Sequence, residues 1–297
     1  MEARLDSAVT RRAPAKLNLY LHVLGQRSDG YHLLDSLVMF ADVGDVIRVE
    51  KAPKLALEIS GPFAADLAAT EPENNLVMRA ARALASQGGF QATATITLEK
   101  NLPVSAGIGG GSSDAAAALQ ALKALWRLDT SNADLAALGM KIGADVPACL
   151  AAQTLYMAGA GEQIDMAPSL PTLSLVLVGP GAPLSTAQVF NALGAKWSEP
   201  GRLAPTDTAE NFVQELASRH NGLQAPAMAL QPVIGDALRA LEAEQGCMLA
   251  RMSGSGSVCF GIFQSAKDGE LAAARIAQQH PKWWVVAAET VEGQGEQ

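Results

Sequence analysis

Pro103–Ala117 reads PVSAGIGGGSSDAAA, and both the fold and the chemistry of the chain turn on it. Four glycines (Gly107, Gly109, Gly110, Gly111) stand directly before SSDAAAALQALKALW, Ser112–Trp126, a run of strong helix formers that opens with serines suited to capping. A helix start leaves backbone N–H groups without partners, and its dipole favours negative charge there. Glycine lets the backbone turn tightly and approach a ligand with no side chain in the way. Together Pro103, Val104, Ser105, Ala106, Gly107, Ile108, Gly109, Gly110, Gly111, Ser112 and Ser113 read as a cradle for the phosphates of a nucleotide, with the two serines adding hydroxyl donors. The plainer reading is a flexible or capping loop, but glycines that end a helix follow it, whereas these precede one.

Two better-known phosphate loops do not fit. The G-x-x-x-x-G-K-[ST] pattern needs a lysine after its last glycine, where this chain has Ser112. The dinucleotide fingerprint, counted from Gly107, meets Ser112 where its last glycine should be. A second glycine turn, Ser253-Gly254-Ser255-Gly256-Ser257, lies between two apolar runs and reads equally as a bulged hairpin turn or as the border of a site.

Outward from the loop, Ala15–Leu24 alternates strictly, with Lys16, Asn18, Tyr20 and His22 on one face and leucines and a valine on the other. This predicts a half-buried strand. Further strands are expected at Leu33–Phe40, Asp45–Val49, Lys54–Ser60, Ala92–Glu99 and Thr154–Met157, and helices at Asn74–Gln87 and Asn132–Ile142. Several strands precede the first long helices, which is not an alternating βαβ array and predicts an α+β fold. The Pro-containing stretch Ala167–Pro171 marks a boundary between domains at 1–168 and 169–297. The second half is expected to hold a strand at Leu173–Val178, helices at Ser185–Leu193, Thr206–Ser218 and Val233–Gln245, a looser Asn221–Gln231, and then a strand–loop–strand unit, a helix at Ala266–Gln279 and a strand at Trp283–Ala288.

A formal net charge of −8 argues against a general nucleic-acid surface, which needs a concentrated basic face. A few local donors still suffice to hold a small anion. Cys149, Cys247 and Cys259 show no CxxC spacing and fit packed thiols in a reducing compartment. The charged start MEARLDSAVTRR lacks the apolar stretch of a signal peptide, and no apolar run approaches the ~20 residues of a membrane helix. The expectation is a cytoplasmic protein, a monomer or weak homodimer.

Three separated segments in order, PAKLNLYL (Pro14–Leu21), PVSAGIGGGSSDAAA and MSGSGSVCF (Met252–Phe260), resemble the GHMP kinase superfamily across nearly the whole chain. Within it, GQRSDGYH (Gly25–His32) and GADVP (Gly143–Pro147) are similar to the branch that phosphorylates a cytidine diphosphate derivative of methylerythritol in the non-mevalonate isoprenoid pathway. Ile108 stands where leucine is commoner. The resemblance implies an N-terminal domain like the second domain of ribosomal protein S5, a ferredoxin-like C-terminal domain and an active site between them. It also implies transfer of the ATP γ-phosphoryl group, with Mg²⁺ accompanying the nucleotide, to the 2-hydroxyl of the methylerythritol moiety. The competing expectations are a kinase of another small alcohol, homoserine or mevalonate, and a nucleotide-binding homologue without catalysis. Retention of both Lys16 and Asp145 speaks against the last.

The resemblance makes Asp145 the catalytic carboxylate and Lys16 its cationic partner, with Asn18 on the same strand face. An alcohol nucleophile gains from a base near its proton, and an ammonium stabilises the charge that moves with the phosphoryl group. Whether Asp145 abstracts the proton or orients the hydroxyl stays open. The ordinary alternatives are an Asp stabilising a turn that Pro147 closes, and a solvent-facing Lys on an edge strand. Tyr31 and His32, a loop aromatic beside a hydrogen-bonding ring, suit a flat polar base. In the family these positions hold the cytosine, Phe190 is the opposing aromatic and Thr186 a substrate contact. The plainer, less favoured reading of Phe190 is a core residue, since Val189 and Leu193 share its helical pattern. His22 is read as structural. No protein ligand for the metal is assigned, and Asp114 is read as an acidic residue favouring the helix dipole.

Overall fold

A computed structural model describes residues 8–67, 71, 73–168, 170–204, 206 and 208–291. In chain order the elements are β1 (Ala8–Gln26), β2 (His32–Glu50), β3 (Ala56–Ser60), α1 (Ala64–Leu67), α2 (Leu76–Gln87), β4 (Thr95–Glu99), α3 (Gly110–Trp126), α4 (Asn132–Ile142), α5 (Val146–Ala151), β5 (Leu155–Gly159), β6 (Gln163–Met166), β7 (Ser174–Gly179), α6 (Thr186–Leu193), α7 (Ala209–Ala217), α8 (Gln224–Leu230), α9 (Val233–Glu242), β8 (Cys247–Met252), β9 (Cys259–Phe263), α10 (Ala266–Gln279) and β10 (Trp284–Val291). The α+β class expected from the sequence is borne out. The boundary expected at 168/169 falls on Ser169, part of the expected N-terminal stretch falls on residues 1–7, and Asp207 lies at the start of an expected helix. These positions are outside the described residues.

By contact the chain forms two units. The first comprises Met1–Ala15, Gly44–Val104 and Gly109–Ala151, and the second Lys16–Val43, Ser105–Ile108 and Ala152–Gln297. Strands β1 and β2 therefore each contribute residues to both.

In the first unit, β4 pairs antiparallel with Val46–Glu50 of β2 and parallel with β3. The packed helices α2, α3, α4 and α5 supply Val77, Leu84, Leu119, Leu122, Leu135 and Val146, all buried along with Ile47, Val49, Ile96 and Leu98 of the strands. The two strands expected at Leu33–Phe40 and Asp45–Val49 are one. The glycine between them, Gly44, is not a break: a Cβ there would lie 2.4 Å from the carbonyl oxygen of Ala13, so glycine lets the neighbouring strand come close. Helix α4 ends at Ile142, as expected, and Pro147 lies beyond it. It sits in the first turn of α5, where a missing N–H costs nothing.

In the second unit the sheet order β2-β10-β7-β9-β8 is antiparallel throughout. Its β10-β7-β9-β8 portion, with α10 between β9 and β10, is the split βαβ arrangement of a ferredoxin-like domain, as the resemblance implies. Helices α6, α8, α9 and α10 cover it around Val176, Val178, Leu238, Leu241, Phe263 and Ile276. The looser stretch expected at Asn221–Gln231 contains α8, whose Pro226 falls in the tolerant first turn.

The reading of β1 as half-buried is corrected. Both faces of Lys16–Val23 are buried, Lys16 to 4% exposure and Asn18 to 3%. One edge of β1 pairs with β2, while Leu21 on the other meets Asn221, its N–H donating to the His220 carbonyl at 3.1 Å. The polar face is inside because each member finds a partner there, as buried polar groups must. The Tyr20 hydroxyl donates to Asp35 at 3.0 Å, the Asn18 amide donates to Ser36 at 2.7 Å, and His22 Nδ1 meets the Glu199 carbonyl at 2.7 Å.

Candidate active site

The glycine loop takes an unusual backbone path. Ser105, Gly107 and Gly109 all have positive φ (53°, 76° and 63°), at every second residue. Alternating hands of this kind turn successive N–H groups toward one concavity, an anion-binding nest. Helix α3 then opens at Gly110, two residues earlier than Ser112. Its N-cap is Gly109, which has no side chain to spend on the first-turn N–H groups, so the capping role read for the serines is corrected. Ser113 is buried, and its hydroxyl donates to the Pro14 carbonyl at 2.7 Å, binding the helix start to β1. Ser112 is the more open of the two and lies beside Gly143, where an added Cβ would sit 3.8 Å from its hydroxyl. Within the first unit, then, the start of α3 adjoins the GADVP turn. Asp145 there is partly buried, immediately before α5, with its carbonyl accepting from Cys149 N–H at 3.1 Å.

In the second unit, Ser105–Ile108 is held on two sides. The Lys16 N–H donates to the Ile108 carbonyl at 2.9 Å, and Val258 N–H donates to the Ala106 carbonyl at 3.0 Å. Ser253 joins them: its hydroxyl donates to the Gly107 carbonyl at 3.0 Å and accepts from Asn18 N–H at 3.2 Å. The backbones approach so closely that a Cβ on Gly107 would lie 2.4 Å from the Ser253 carbonyl oxygen. Asn221 fixes the turn from below, its amide donating to the Met252 and Gly254 carbonyls at 2.8 and 2.7 Å. The Ser253–Ser257 turn thus packs on the glycine loop. Sequence reasoning did not find Ser253 and Asn221 as supports, since Ser253 acts across 146 residues of chain and Asn221 across 31 and 33.

Asn18 Oδ1 is buried and has no hydrogen-bond partner among the described residues. Such an oxygen costs free energy unless something donates to it, so Asn18 presents an acceptor suited to a ligand.

The expected base-binding residues fall in the same unit. His32 and Phe190 stack face to face, with ring centroids 4.6 Å apart at 24°. A base between two rings needs ~7 Å of separation, so no base fits between this pair as it stands. Burial pulls the His32 pKa below its usual value, which keeps the ring neutral and stacking at neutral pH. Tyr31 is 64% exposed on the turn, with its N–H donating to Asp29 at 3.2 Å. Thr186 Oγ1 is 2.8 Å from the Ser255 hydroxyl, linking the start of α6 to the serine–glycine turn.

One charged group near the loop was not anticipated from sequence. In the first unit Lys100 reaches Asp45 and Asp114 (2.8 Å to the latter), and all three side chains are at most 3% exposed. Asp45 also accepts from the N–H groups of Asn101 and Leu102 at 2.6 and 2.8 Å. Asp114 is therefore not a surface residue favouring the dipole. Burial pushes its carboxyl up to about 8, partly opposed by Lys100. Burial pulls the Lys100 ammonium down, yet Asp114 and Asp45 more than offset this and the net shift is upward. The cluster ties the end of β4 to α3, the two stems of the loop. It offers no seat for a divalent cation, since an ammonium already faces both carboxyls, and no cluster of three His, Cys, Asp or Glu groups suited to a metal occurs among the described residues.

Known proteins resemble the chain along nearly its whole length. Residues 75–153 match the family model of the GHMP kinases N terminal domain, and residues 208–282 that of the GHMP kinases C terminal. The chain is 47% identical to a 4-diphosphocytidyl-2-C-methyl-D-erythritol kinase of Paramagnetospirillum magneticum, over 93% of this chain and 96% of the relative. It is 51% identical to one from Cereibacter sphaeroides, over 94% and 98%. Among solved structures it resembles a 4-(cytidine 5'-diphospho)-2C-methyl-D-erythritol kinase with a TM-score of 0.76 at 32% identity, covering 96% of this chain and all (100%) of that one. A homoserine kinase from Cytophaga hutchinsonii shares the fold, with a TM-score of 0.70 at 17% identity, over 99% of this chain and 98% of that one.

Proposed function

Because the chain belongs to the GHMP kinases, in the branch of the 4-diphosphocytidyl-2-C-methyl-D-erythritol kinases, we propose that it transfers the γ-phosphoryl group of ATP to the 2-hydroxyl of 4-diphosphocytidyl-2-C-methyl-D-erythritol, a step in the synthesis of isoprenoid precursors. The observation that carries the donor half of this reading is the loop at 103–113. Its alternating backbone hand and uncapped helix start suit a polyphosphate, and Gly107 has close backbone contacts that a side chain would break.

Phosphoryl transfer asks a protein mainly for positioning and for cancelling charge. In the proposed step the acceptor oxygen bonds to the γ-phosphorus, the bond to the β-phosphate oxygen breaks, and ADP leaves. Asp145 orients the hydroxyl or takes its proton. Lys16 stabilises the charge that develops on the transferring group. Mg²⁺ accompanying the nucleotide would neutralise charge on its phosphates, and no protein ligand is assigned to it. On the acceptor side, Asn18 Oδ1 receives a donor from the substrate, and Tyr31, His32, Phe190 and Thr186 hold the cytidyl end. Cys149, Cys247 and Cys259 form no disulfide among the described residues, which fits a reducing compartment, and we place the reaction in the cytoplasm. No helix among the described residues is long and apolar enough to cross a membrane.

The test is a phosphoryl-transfer assay with ATP against the cytidyl-methylerythritol substrate, homoserine and mevalonate side by side. The cytidyl substrate should lead in kcat/KM by at least ~10²-fold, because a site built for a nucleobase leaves polar groups unpaired with either small alcohol. Faster turnover of homoserine or mevalonate overturns the assignment.

A further inference from the structure

Trp197 lies on the segment joining α6 to α7, and it is 44% exposed. Its indole is 6.1 Å from the His32 ring, tilted by 54°, so it extends the His32–Phe190 stack into a three-ring cluster. The segment that carries it is tied down almost residue by residue. Ser198 N–H donates to the Val23 carbonyl at 2.7 Å, and the Ser198 hydroxyl meets His220 Nε2 at 3.0 Å. The Glu199 carbonyl is 2.7 Å from His22 Nδ1, and a carbonyl only accepts, so that nitrogen carries the proton. His22 Nε2 then accepts from His220 N–H at 3.3 Å. Gly201 N–H donates to buried Asp35 at 2.6 Å, and the Gly201 carbonyl accepts from Arg219 at 2.8 Å. Arg202 pairs with Asp165 and lies over the Tyr156 ring at 4.7 Å.

This arrangement needs a reason. Tyr20, His22 and Asp35, all buried and polar, are committed directly or through one another to the loop, yet the largest apolar side chain on it is left half in solvent. A loose loop would let the indole fold down and bury itself, since large apolar rings gain most from burial. A loop held this tightly keeps it standing. His32 and Phe190 are too close to admit a base between them, so a planar ligand beside that pair has the standing indole within reach as a further face.

We propose that Trp197 is a specificity-determining residue of the acceptor site, a fixed stacking platform for the pyrimidine nucleoside end of the substrate beside His32. This rests on the function proposed above, but a part of its test does not. An aromatic–base stack is worth roughly 10-fold or more in affinity when the ring is removed.

The probe is cytidine diphosphate, titrated against the intrinsic fluorescence of the full chain, whose other indoles are Trp126, Trp283 and Trp284. Saturable quenching is expected in the parent and its loss in Trp197→Phe. In turnover, Trp197→Ala should raise the KM of the cytidyl substrate about 10-fold, with the KM of ATP and kcat within about 2-fold of the parent, and Trp197→Phe should recover most of the loss. The exposed position means that neither variant disturbs the core. Quenching that is absent in the parent, or unchanged in Trp197→Phe, overturns the proposal, as does a KM for the cytidyl substrate that Trp197→Ala leaves unmoved. Should the parent fail to phosphorylate the cytidyl substrate while Trp197-dependent quenching by cytidine diphosphate persists, the platform stands and it is the reaction that has been misassigned.

Discussion

Replacing Lys100 with Met removes the ammonium that faces Asp45 and Asp114 in the interior while keeping an unbranched chain of similar length. Taking one partner from a buried ion pair costs ~3–5 kcal/mol, because the remaining charge has lost its compensation. Here the loss falls mainly on Asp45. Asp114, which burial holds at about 8, is largely protonated at neutral pH already. Asp45 keeps the N–H groups of Asn101 and Leu102, so it is weakened rather than stranded, and the lower half of that range is expected. For a chain of this size that is a drop in Tm on the order of 10 °C. The pH dependence has a definite sign. Lys100 opposes the burial that raises the Asp114 carboxyl, so without it that carboxyl rises further. A raised carboxyl holds a proton that the unfolded chain has released, so its contribution to stability declines as pH rises from about 4; in the parent that decline ends near pH 8, and in the variant it continues to higher pH. In the parent, Lys100 is shifted upward, so its own contribution is fully present below the ordinary lysine range. Urea unfolding of parent and variant at pH 6 and pH 9 reads this directly. The deficit of the variant should be larger at pH 9, with a higher KM for ATP, since the cluster joins both stems of the glycine loop. A deficit below ~1 kcal/mol, as for a surface pair, or one equal at the two pH values would refute the argument.

Gly107→Ala should lower ATP affinity by ~10²-fold or leave the protein unstable, because φ is 76° there and the new methyl would meet the Ser253 carbonyl oxygen at 2.4 Å. Isothermal titration with a non-hydrolysable ATP analogue together with a thermal melt separates the two effects, and parent-like values in both would show that the close approach is unimportant. Asp145→Asn should keep ATP affinity within a small factor and lose ~10²–10⁴ in kcat, the range of general-base assistance; parent-like turnover would remove Asp145 from the chemistry.

The elements that sequence predicts best are those whose signal is local. Asn132–Ile142 and Ala266–Gln279 match their helices end to end, because Ser131 and Ser265 cap them through their own side chains, a pattern confined to a few residues. The glycine loop was legible for the same reason, its backbone freedom being written in its composition. Readings failed where a distant partner decided. Gly44 looks like a gap between strands until Ala13 is placed against it. Lys16, Asn18, Tyr20 and His22 alternate as a solvent face would, and only the partners of that face, Ser36, Asp35 and Glu199, explain why it is inside.

By itself, then, the sequence determined the α+β class, the glycine loop before a helix, the family and the residue types available for catalysis, because these depend on local propensity and on motifs contiguous in the chain. Tertiary structure alone decided that Ser253 and Asn221 brace the loop, that Lys100 is locked between two buried carboxyls, and that Trp197 stands exposed beside His32. Each of these depends on groups far apart in the chain, and their burial and hydrogen bonding are fixed only once the backbone has closed around them.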